Sequence, residues 1–220
     1  MKELSITVRD LAGIDKLRPV TGGVPIAEGS APNGSIFSLR DEEGNVIPLQ
    51  TSILARWKDG SARWVLLDFQ SKPPVNGELS YVLSWGRGGR PKEPEVAVEI
   101  LNIEGRPVLK SGSLTVSLAE GALLNISERV DILFSLVDKK GRECNAVVET
   151  SEVEMSGRLR STLSLKGSFR TPTGERVFQF RLRASIYAGL SLVRLEPLIL
   201  CLLYTSDAAD ELDGVDLGGR

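Results

Sequence analysis

The chain has 220 residues, with 27 basic and 29 acidic side chains and no histidine. The lack of histidine excludes Ser-His-Asp triads, Cys-His pairs and histidine-bound metals, because these sites need an imidazole as base or ligand. A formal charge of −2 argues against the positive surface that nucleic-acid binding requires. Cys144 and Cys201 alone cannot form a zinc cage or a disulfide framework. We therefore expect no metal, no cofactor and no nucleic-acid partner.

The chain opens on alternating apolar and polar residues, with Leu4, Ile6 and Val8 on one face. This period of two predicts a strand from the first residues. The polar residues interrupt the unbroken apolar run that a secretory signal needs. The apolar run Leu190–Leu203 near the other end is too short to span a bilayer. We therefore expect a chain without a leader or a membrane partner, located in the cytoplasm.

Short strands separated by turns are predicted as far as Trp85. Asp41–Asn45 and Lys58–Ser61 contain the Asp, Asn and Gly residues of tight hairpin turns. Ala62–Gln70 is the most apolar strand and is expected at the centre of a sheet. Frequent turns between short strands are typical of a small barrel or sandwich, which we expect at residues 1–88. The predicted strands are Leu4–Val8, Ser35–Arg40, Val46–Gln50, Thr51–Trp57, Ala62–Gln70 and Leu79–Trp85.

A stretch rich in glycine, proline and charge at residues 86–95 predicts a linker. Strands resume after it, joined by tight turns such as Thr171–Gly174. Their long alternating patterns favour a β-sandwich, which we expect at residues 95–200. The whole chain is therefore predicted to be all-β. The strands predicted here are Val96–Ile103, Ser113–Leu118, Ile132–Val137, Asn145–Ser151, Leu159–Phe169, Arg176–Ile186 and Leu190–Leu195.

Residues 201–220 break this pattern, because they contain five acidic residues, one arginine and no alternation. Their opening string, CLLYTSDAAD, reads as a translation of the mosaic end of a transposase-type sequencing adapter. We therefore expect this segment not to be native and leave it out of the fold prediction. The natural sequence is then expected to be truncated near Leu200.

Two stretches of the first domain carry a family resemblance. Arg18–Gly29 reads RPVTGGVPIAEG, and Val46–Gln50 (VIPLQ) is followed by Ala55–Phe69 (ARWKDGSARWVLLDF). Together they resemble the N-terminal RIFT-barrel domain of the PcRGLX/YetA-like family, the relatives of exo-rhamnogalacturonan lyase. Glu154–Arg160 and Ala184–Leu195 look like the family's central β-sandwich and follow in the right order. The resemblance implies a small RIFT-type β-barrel followed by a β-sandwich, here truncated.

The resemblance also implies a function. The parent protein is expected to be a polysaccharide lyase that cleaves rhamnogalacturonan or a similar acidic pectin by β-elimination, which needs a base and a cation beside the uronate. The catalytic residues are expected in a C-terminal α/α-toroid domain that is missing here, so this chain would be a non-catalytic N-terminal fragment. A carbohydrate-binding module and a structural docking domain remain the alternatives.

The tryptophans Trp57, Trp64 and Trp85 all fall in the first domain. Exposed indoles at Trp57 and Trp64 would form a stacking platform for an acidic polysaccharide or oligosaccharide. The structural alternative is that the same two residues pack as a cross-strand pair beside the Asp-Gly turn. Exposure of the rings distinguishes the two interpretations.

Arg56 and Arg63 each precede a tryptophan across the turn, and they could neutralise a uronate carboxylate. They could equally form ion pairs with Asp59 or Asp68. Asp59 is expected to accept backbone hydrogen bonds in an Asx-turn. Asp68, inside an apolar strand, is the best candidate for a carboxyl with a shifted pKa, held by a structural partner such as Arg56 or Arg63.

A basic group late in the chain comprises Arg158, Arg160, Arg181 and Arg183. An acidic polysaccharide could bind such a face. A solvated sandwich face, or a surface on which the α/α domain docks, is the alternative.

Overall fold

The computed structural model describes residues 2–86 and 91–201, which form β-strands and turns without a helix. The all-β class predicted from the sequence is therefore confirmed. No helix in the described part of the chain could cross a membrane. Two compact units are present. Within the described residues, the first comprises the chain up to residue 99 with 156–161 and 187–192, and the second comprises 100–155, 162–186 and the chain from 193.

The strands of the first unit are β1 (Lys2–Arg9), β2 (Arg18–Pro25), β3 (Ile36–Arg40), β4 (Val46–Ile47), β5 (Gln50–Arg56), β6 (Ala62–Ser71) and β7 (Glu78–Gly86). They form two antiparallel sheets, with the strand orders β1-β7-β3-β4 and β2-β6-β5. Strand β6 lies between its neighbours, as predicted for Ala62–Gln70. Gly44 and Gly60 have φ angles of +83° and +81° in the two predicted hairpin turns, which this left-handed conformation confirms.

Strand β2 is absent from the predicted set. Its sequence, RPVTGGVP, contains two prolines and two glycines, residues that are depleted in strands. The strand lies at the edge of its sheet and pairs with β6 from Arg18, opposite Ser71, to Pro25, opposite Trp64. An edge strand needs donors on one side only, so it tolerates proline.

One apolar core lies between the two sheets. Strand β6 contributes Val65, Leu67 and Phe69, whose alternation sends every second side chain inward. Ring contacts add to this packing, because Phe69 meets Tyr81 edge-on with centroids 5.3 Å apart. The other buried members are Ile26, Ala31, Phe37, Leu39, Leu49, Ala62, Tyr81, Leu83 and Trp85.

The opposite face of the β2-β6-β5 sheet, called here the outer face, points away from this core. The strand register places Thr21, Asp68 and Gln50 side by side in one row across the three strands. Trp64 lies on the same face of β6, four residues earlier, with Ala55 opposite it on β5. The outer face therefore has a polar half and an aromatic half.

The remaining strands are β8 (Val98–Ile103), β9 (Arg106–Ser111), β10 (Leu114–Ser117), β11 (Leu124–Ile126), β12 (Val130–Ile132), β13 (Ser135–Val137), β14 (Glu143–Met155), β15 (Arg160–Arg170), β16 (Arg176–Tyr187) and β17 (Val193–Cys201). They form two five-stranded sheets, ordered β12-β11-β10-β9-β8 and β13-β14-β15-β16-β17. Strands β9 and β11 were not predicted. Strand β11 has only three residues, which is too short for an alternating pattern to be recognised in the sequence.

Strand β16 has the predicted half-buried pattern. Leu182, Ala184 and Ile186 are buried, while Arg181 and Arg183 between them are partly exposed. The prediction for residues 201–220 falls outside the described residues, apart from the backbone of Cys201, which ends β17. Residues 87–90 of the predicted linker also lie outside them.

Candidate functional site

The turn between β5 and β6 is a compact Asx-turn. The backbone N–H and the hydroxyl of Ser61 both donate to Oδ1 of Asp59, at 2.9 and 2.6 Å. These hydrogen bonds hold the pKa of Asp59 below its usual range. The predicted turn role of Asp59 is thus confirmed, and its carboxylate is a poor proton acceptor.

A β-bulge follows the turn and redirects Arg63. Ala55 pairs with Trp64 and Arg56 pairs with Ala62, so Arg63 is an extra residue on β6. Its guanidinium lies over the ring of Trp57, 4.8 Å from the centroid. A stacked guanidinium keeps its N–H groups at the rim of its plane, where they can still donate to a carboxylate.

Trp57 is half-buried and fixed at its polar end. Its Nε1–H donates to the carbonyl oxygen of Ile26 at 2.8 Å. A ring anchored in this way gives Arg63 a rigid surface on which to lie. The stack therefore presents a positive charge in a defined position.

Arg56 donates from Nη1 to the carbonyl oxygen of Gly60 at 2.9 Å and is exposed. The expectation that Arg56 or Arg63 pairs with Asp59 or Asp68 is wrong. Neither arginine forms an ion pair with a carboxylate in the described part of the chain. The reason is geometric, because Asp59 is turned into its own Asx-turn and Asp68 lies farther along β6.

The predicted pairing of Trp57 with Trp64 is also wrong. Trp64 is 42% exposed, and its indole lies against Gly23 of β2. A Cβ atom at Gly23 would come within 2.4 Å of the indole Nε1, so a side chain at this position would displace the indole. Trp85, by contrast, is buried in the core, where it tilts against Phe37. The hairpin site, defined here as Arg56, Trp57, Arg63 and Trp64, thus contains one contacting pair and two neighbours on the same hairpin.

Asp68 is buried at the polar half of the outer face, with 3% of its surface exposed. The hydroxyl of Thr21 donates to Oδ1 at 2.6 Å, and Nε of Arg160 lies 3.2 Å from the same oxygen. Oδ2 has no hydrogen-bond partner among the residues that the structure describes. Burial raises the pKa of Asp68, and the Thr21 and Arg160 contacts oppose that rise only in part. The shifted pKa agrees with the sequence prediction, but the partner is Arg160 rather than Arg56 or Arg63.

Gln50 was missed by the sequence analysis. Its Oε1 accepts hydrogen bonds from the backbone N–H groups of Leu159 and Arg160, both at 3.0 Å. Its Nε2 donates to the carbonyl oxygen of Arg160 at 3.1 Å. The VIPLQ string contains this residue, but nothing local in the sequence indicates a partner more than one hundred residues away.

The late basic group does not form one open positive face. Arg158 contacts Glu93 at 2.6 Å, and Arg160 contacts Asp68. In the second unit, Arg183 donates to both oxygens of Glu154, at 2.6 and 2.7 Å. Carboxylates of the chain itself therefore already neutralise much of the positive charge that would bind an acidic polysaccharide. Arg181 is the fourth member, and it lies on the same strand as Arg183.

A cleft of about 650 Å³ opens on the second unit between Leu118–Leu123 and Asn145–Ser151. Its one carboxylate, Glu149, accepts hydrogen bonds from Ser168, Arg170 and Arg176, which hold its pKa below the usual range. A carboxylate held in this way is a poor base. No cluster of residues suited to a metal ion occurs within the described ranges.

Residues 5–84 match the family model of the PcRGLX-like N-terminal RIFT barrel domain. The match includes the hairpin site and most of both sheets of the first unit. It confirms the resemblance drawn from the RPVTGGVP and ARWKDGSARW strings. No curated protein matches the chain.

Proposed function

We propose, from the PcRGLX-like N-terminal RIFT barrel domain formed by residues 5–84, that this chain is the non-catalytic part of a polysaccharide lyase-like protein. Its substrate would be rhamnogalacturonan or a similar acidic pectin. β-elimination would take place on an α/α domain of the same protein, outside these 220 residues. The chain's own role in this proposal is to hold the acidic polysaccharide.

The observation that carries the proposal is the positive charge of the hairpin site. Arg63 is stacked on Trp57, Arg56 lies across the same turn, and no carboxylate of residues 2–86 or 91–201 pairs with either. A guanidinium binds a carboxylate through two parallel hydrogen bonds, which suits a galacturonate residue. The exposed indole of Trp64 offers an apolar face against which the C–H groups of a neighbouring sugar can pack.

The same hairpin lacks the chemistry for the elimination step. A base must remove the proton next to the uronate carboxylate, and its pKa must lie near the working pH. Asp59 is the carboxylate within the turn, and its lowered pKa makes it a weak base. Asp68 has a raised pKa, but it is buried beneath Arg160 and Thr21. The hairpin site therefore supports binding rather than catalysis.

Calorimetric titration with rhamnogalacturonan oligosaccharides tests this proposal. We expect the unsubstituted chain to bind de-esterified oligosaccharides and to bind methyl-esterified ones about tenfold more weakly or worse, because esterification removes the carboxylate charge. Arg63→Gln should abolish most of that preference. The ultraviolet absorbance of unsaturated uronate products should stay flat throughout.

Arg40→Gln is the matched control. Arg40 donates to the carbonyl oxygen of Gly44 at 3.0 Å in the β3–β4 hairpin, as Arg56 does to Gly60. Its turn carries Asp41, Glu42 and Glu43, so it should not attract an acidic sugar. Equal losses in Arg40→Gln and Arg63→Gln, or no binding at all, would contradict the proposal.

A structural docking role is the second candidate. Leu198, Ile199 and Leu200 are exposed on β17, the edge strand of its sheet. Exposed apolar residues on an edge strand are typical of a contact surface. If this role is the main one, the chain should self-associate in light scattering, Leu198→Lys should reverse that association, and pectin oligosaccharides should give no heat of binding.

A further inference from the structure

We propose that the polar half of the outer face is a clasp for the chain's own residues 157–160. The clasp consists of Thr21, Gln50 and Asp68, and the segment it holds belongs to the same compact unit. It explains why a buried carboxylate and a half-buried amide lie on the face of the sheet that points away from the core. Their role is to hold a peptide, not to bind a sugar.

Gln50 recognises the backbone of the segment. One amide group accepts two N–H bonds, from Leu159 and Arg160, and donates one to the Arg160 carbonyl. The side chain thereby acts as the edge of a neighbouring strand would, since it supplies both an acceptor and a donor to main-chain groups. These contacts fix the backbone path of residues 157–160 and do not depend on which side chains the segment carries.

Gly157 and Arg160 supply the selectivity. A Cβ atom at Gly157 would lie 2.1 Å from Oε1 and 2.3 Å from Nε2 of Gln50, inside the amide itself. The φ angle of Gly157 is not in the left-handed region, so the constraint there is space: any Cβ atom would push the Gln50 amide out of its three hydrogen bonds. Arg160 places its guanidinium against Asp68 and donates to the Thr21 hydroxyl at 3.2 Å. The clasp therefore selects a glycine followed by an arginine three residues later.

The held segment is also bonded along its backbone. Val98 donates its N–H to the carbonyl oxygen of Arg158 at 2.8 Å, and Ala188 donates to that of Leu159 at 2.9 Å. Gln70, on the same strand face as Asp68, donates to the carbonyl oxygen of Ala188 at 2.7 Å. The clasp thus orders a small layer of chain over the barrel sheet.

A double-mutant cycle with Gly157→Ala and Gln50→Ala tests the clasp in the full chain. The readout is hydrogen exchange of the Leu159 and Arg160 amides. We expect each single variant to speed their exchange about tenfold or more, because the amides lose their acceptor. In the double variant Gly157→Ala should add almost nothing, since the group it collides with is gone.

Three further variants sharpen this cycle. Gln50→Glu leaves atoms in the same volume, so Gly157→Ala should retain its full effect in that background. Gly22→Ala is the steric control, because nothing lies within 4 Å of a Cβ at that position. Ser52→Ala is the control on the same face of β5, two residues beyond Gln50. Neither control should change exchange of the two amides.

The proposal fails if the effects of Gly157→Ala and Gln50→Ala simply add, or if Gln50→Ala leaves the two amides as protected as before. Should Gln50→Ala not fold, the Gln50→Glu background alone decides the question. A loss of the Gly157→Ala effect there would show that the glycine does not meet the residue 50 side chain.

Discussion

Two buried aspartates of the first unit, Asp10 and Asp68, have opposite pKa shifts. Both are almost fully buried, at 2% and 3% exposure, and each contacts one arginine. The pKa of Asp10 is lowered to about 2, mainly by the backbone N–H of Asn76 and the side chain of Arg18. The pKa of Asp68 is raised by burial. Low solvent exposure alone therefore does not decide the sign of the shift.

Desolvation is the strongest influence on the pKa of Asp68, whereas at Asp10 hydrogen bonds outweigh it, and the backbone around each carboxylate explains why. Asp10 follows the end of β1, where chain turns leave N–H groups free, and it accepts from Asn76 at 2.9 Å and from Ala12 at 3.3 Å. Asp68 lies in the middle of β6, where the ladder to β2 and β5 uses the backbone donors. Its contacts come from the side chains of Thr21 and Arg160, and its Oδ2 has no hydrogen-bond partner within the described ranges. Turns supply donors to a buried acid, whereas strand interiors do not.

The largest effect is expected when Asp68 loses its cation. Arg160→Gln should lower the free energy of unfolding by about 3 kcal/mol at pH 7, because it leaves a buried charge unpaired. The measurement is urea unfolding. Arg158→Gln, which breaks the exposed pair with Glu93, is the control and should cost less than about 1 kcal/mol. Equal losses in the free energy of unfolding for the two variants would mean that the buried Asp68–Arg160 pair stabilises the fold no more than an exposed pair.

Asp10→Asn should lower the Tm by roughly 5 °C at pH 7, because the amide keeps the shape but loses the charge that Arg18 and the two N–H groups bind. The folded pKa of about 2 lies below the ordinary 3.8, so the native carboxylate stabilises the fold above pH 3.8 and loses that effect toward pH 2. In thermal scans, the difference in Tm between Asp10→Asn and the unsubstituted chain should therefore shrink as the pH falls from 3.8 toward 2. A deficit that is constant with pH would exclude the charge as its cause.

Thr21→Val should lower the free energy of unfolding by about 1 kcal/mol, because it removes the hydroxyl that donates to Asp68 and accepts from Arg160. It should also raise the pKa of Asp68 further, which carboxyl NMR titration can follow. Thr21→Ser retains the hydroxyl and should restore both values. Failure of serine to restore them would assign the effect to packing.

Asp68→Asn is expected to have the smallest effect at pH 7, because the lost ion pair is offset by relief of a buried charge. The informative quantity for this variant is how its loss of stability changes with pH. A raised folded pKa means that the native acid stabilises the fold below pH 3.8 and loses this as pH rises through the folded pKa. The deficit of Asp68→Asn should therefore shrink as pH rises, opposite to Asp10→Asn. If the stability losses of the two variants changed with pH in the same direction, the pKa values of Asp10 and Asp68 would not be shifted in opposite directions.

Local pattern was enough to find most strands and turns. Alternation located β1 and β16, an apolar run located β6, and the Asp-Gly and Gly-Asn pairs located both hairpin turns, because these signals depend on neighbours in sequence. Strand β2 was missed, since its prolines and glycines are tolerated only by its edge position, which is a property of the sheet.

The site was less predictable for the same reason. The Asx-turn at Asp59 is local and was foreseen. The Arg63 bulge depends on cross-strand register, and the Arg160 partner of Asp68 comes from 92 residues further along the chain. Arg56 and Arg63 were nearer candidates in sequence, but no rule of spacing could exclude them. Pairings set by tertiary packing require the fold before they can be named.

All three tryptophans of the chain lie in the first unit, and this gives the protein an optical asymmetry. Intrinsic indole emission reports on the barrel alone, while the second unit contributes to the far-ultraviolet circular dichroism but not to that signal. Trp64 should dominate quenching by added iodide, and Trp85 should be shielded from it, as their exposures differ most. A thermal scan that follows both signals would therefore separate the melting of one unit from that of the other without any label.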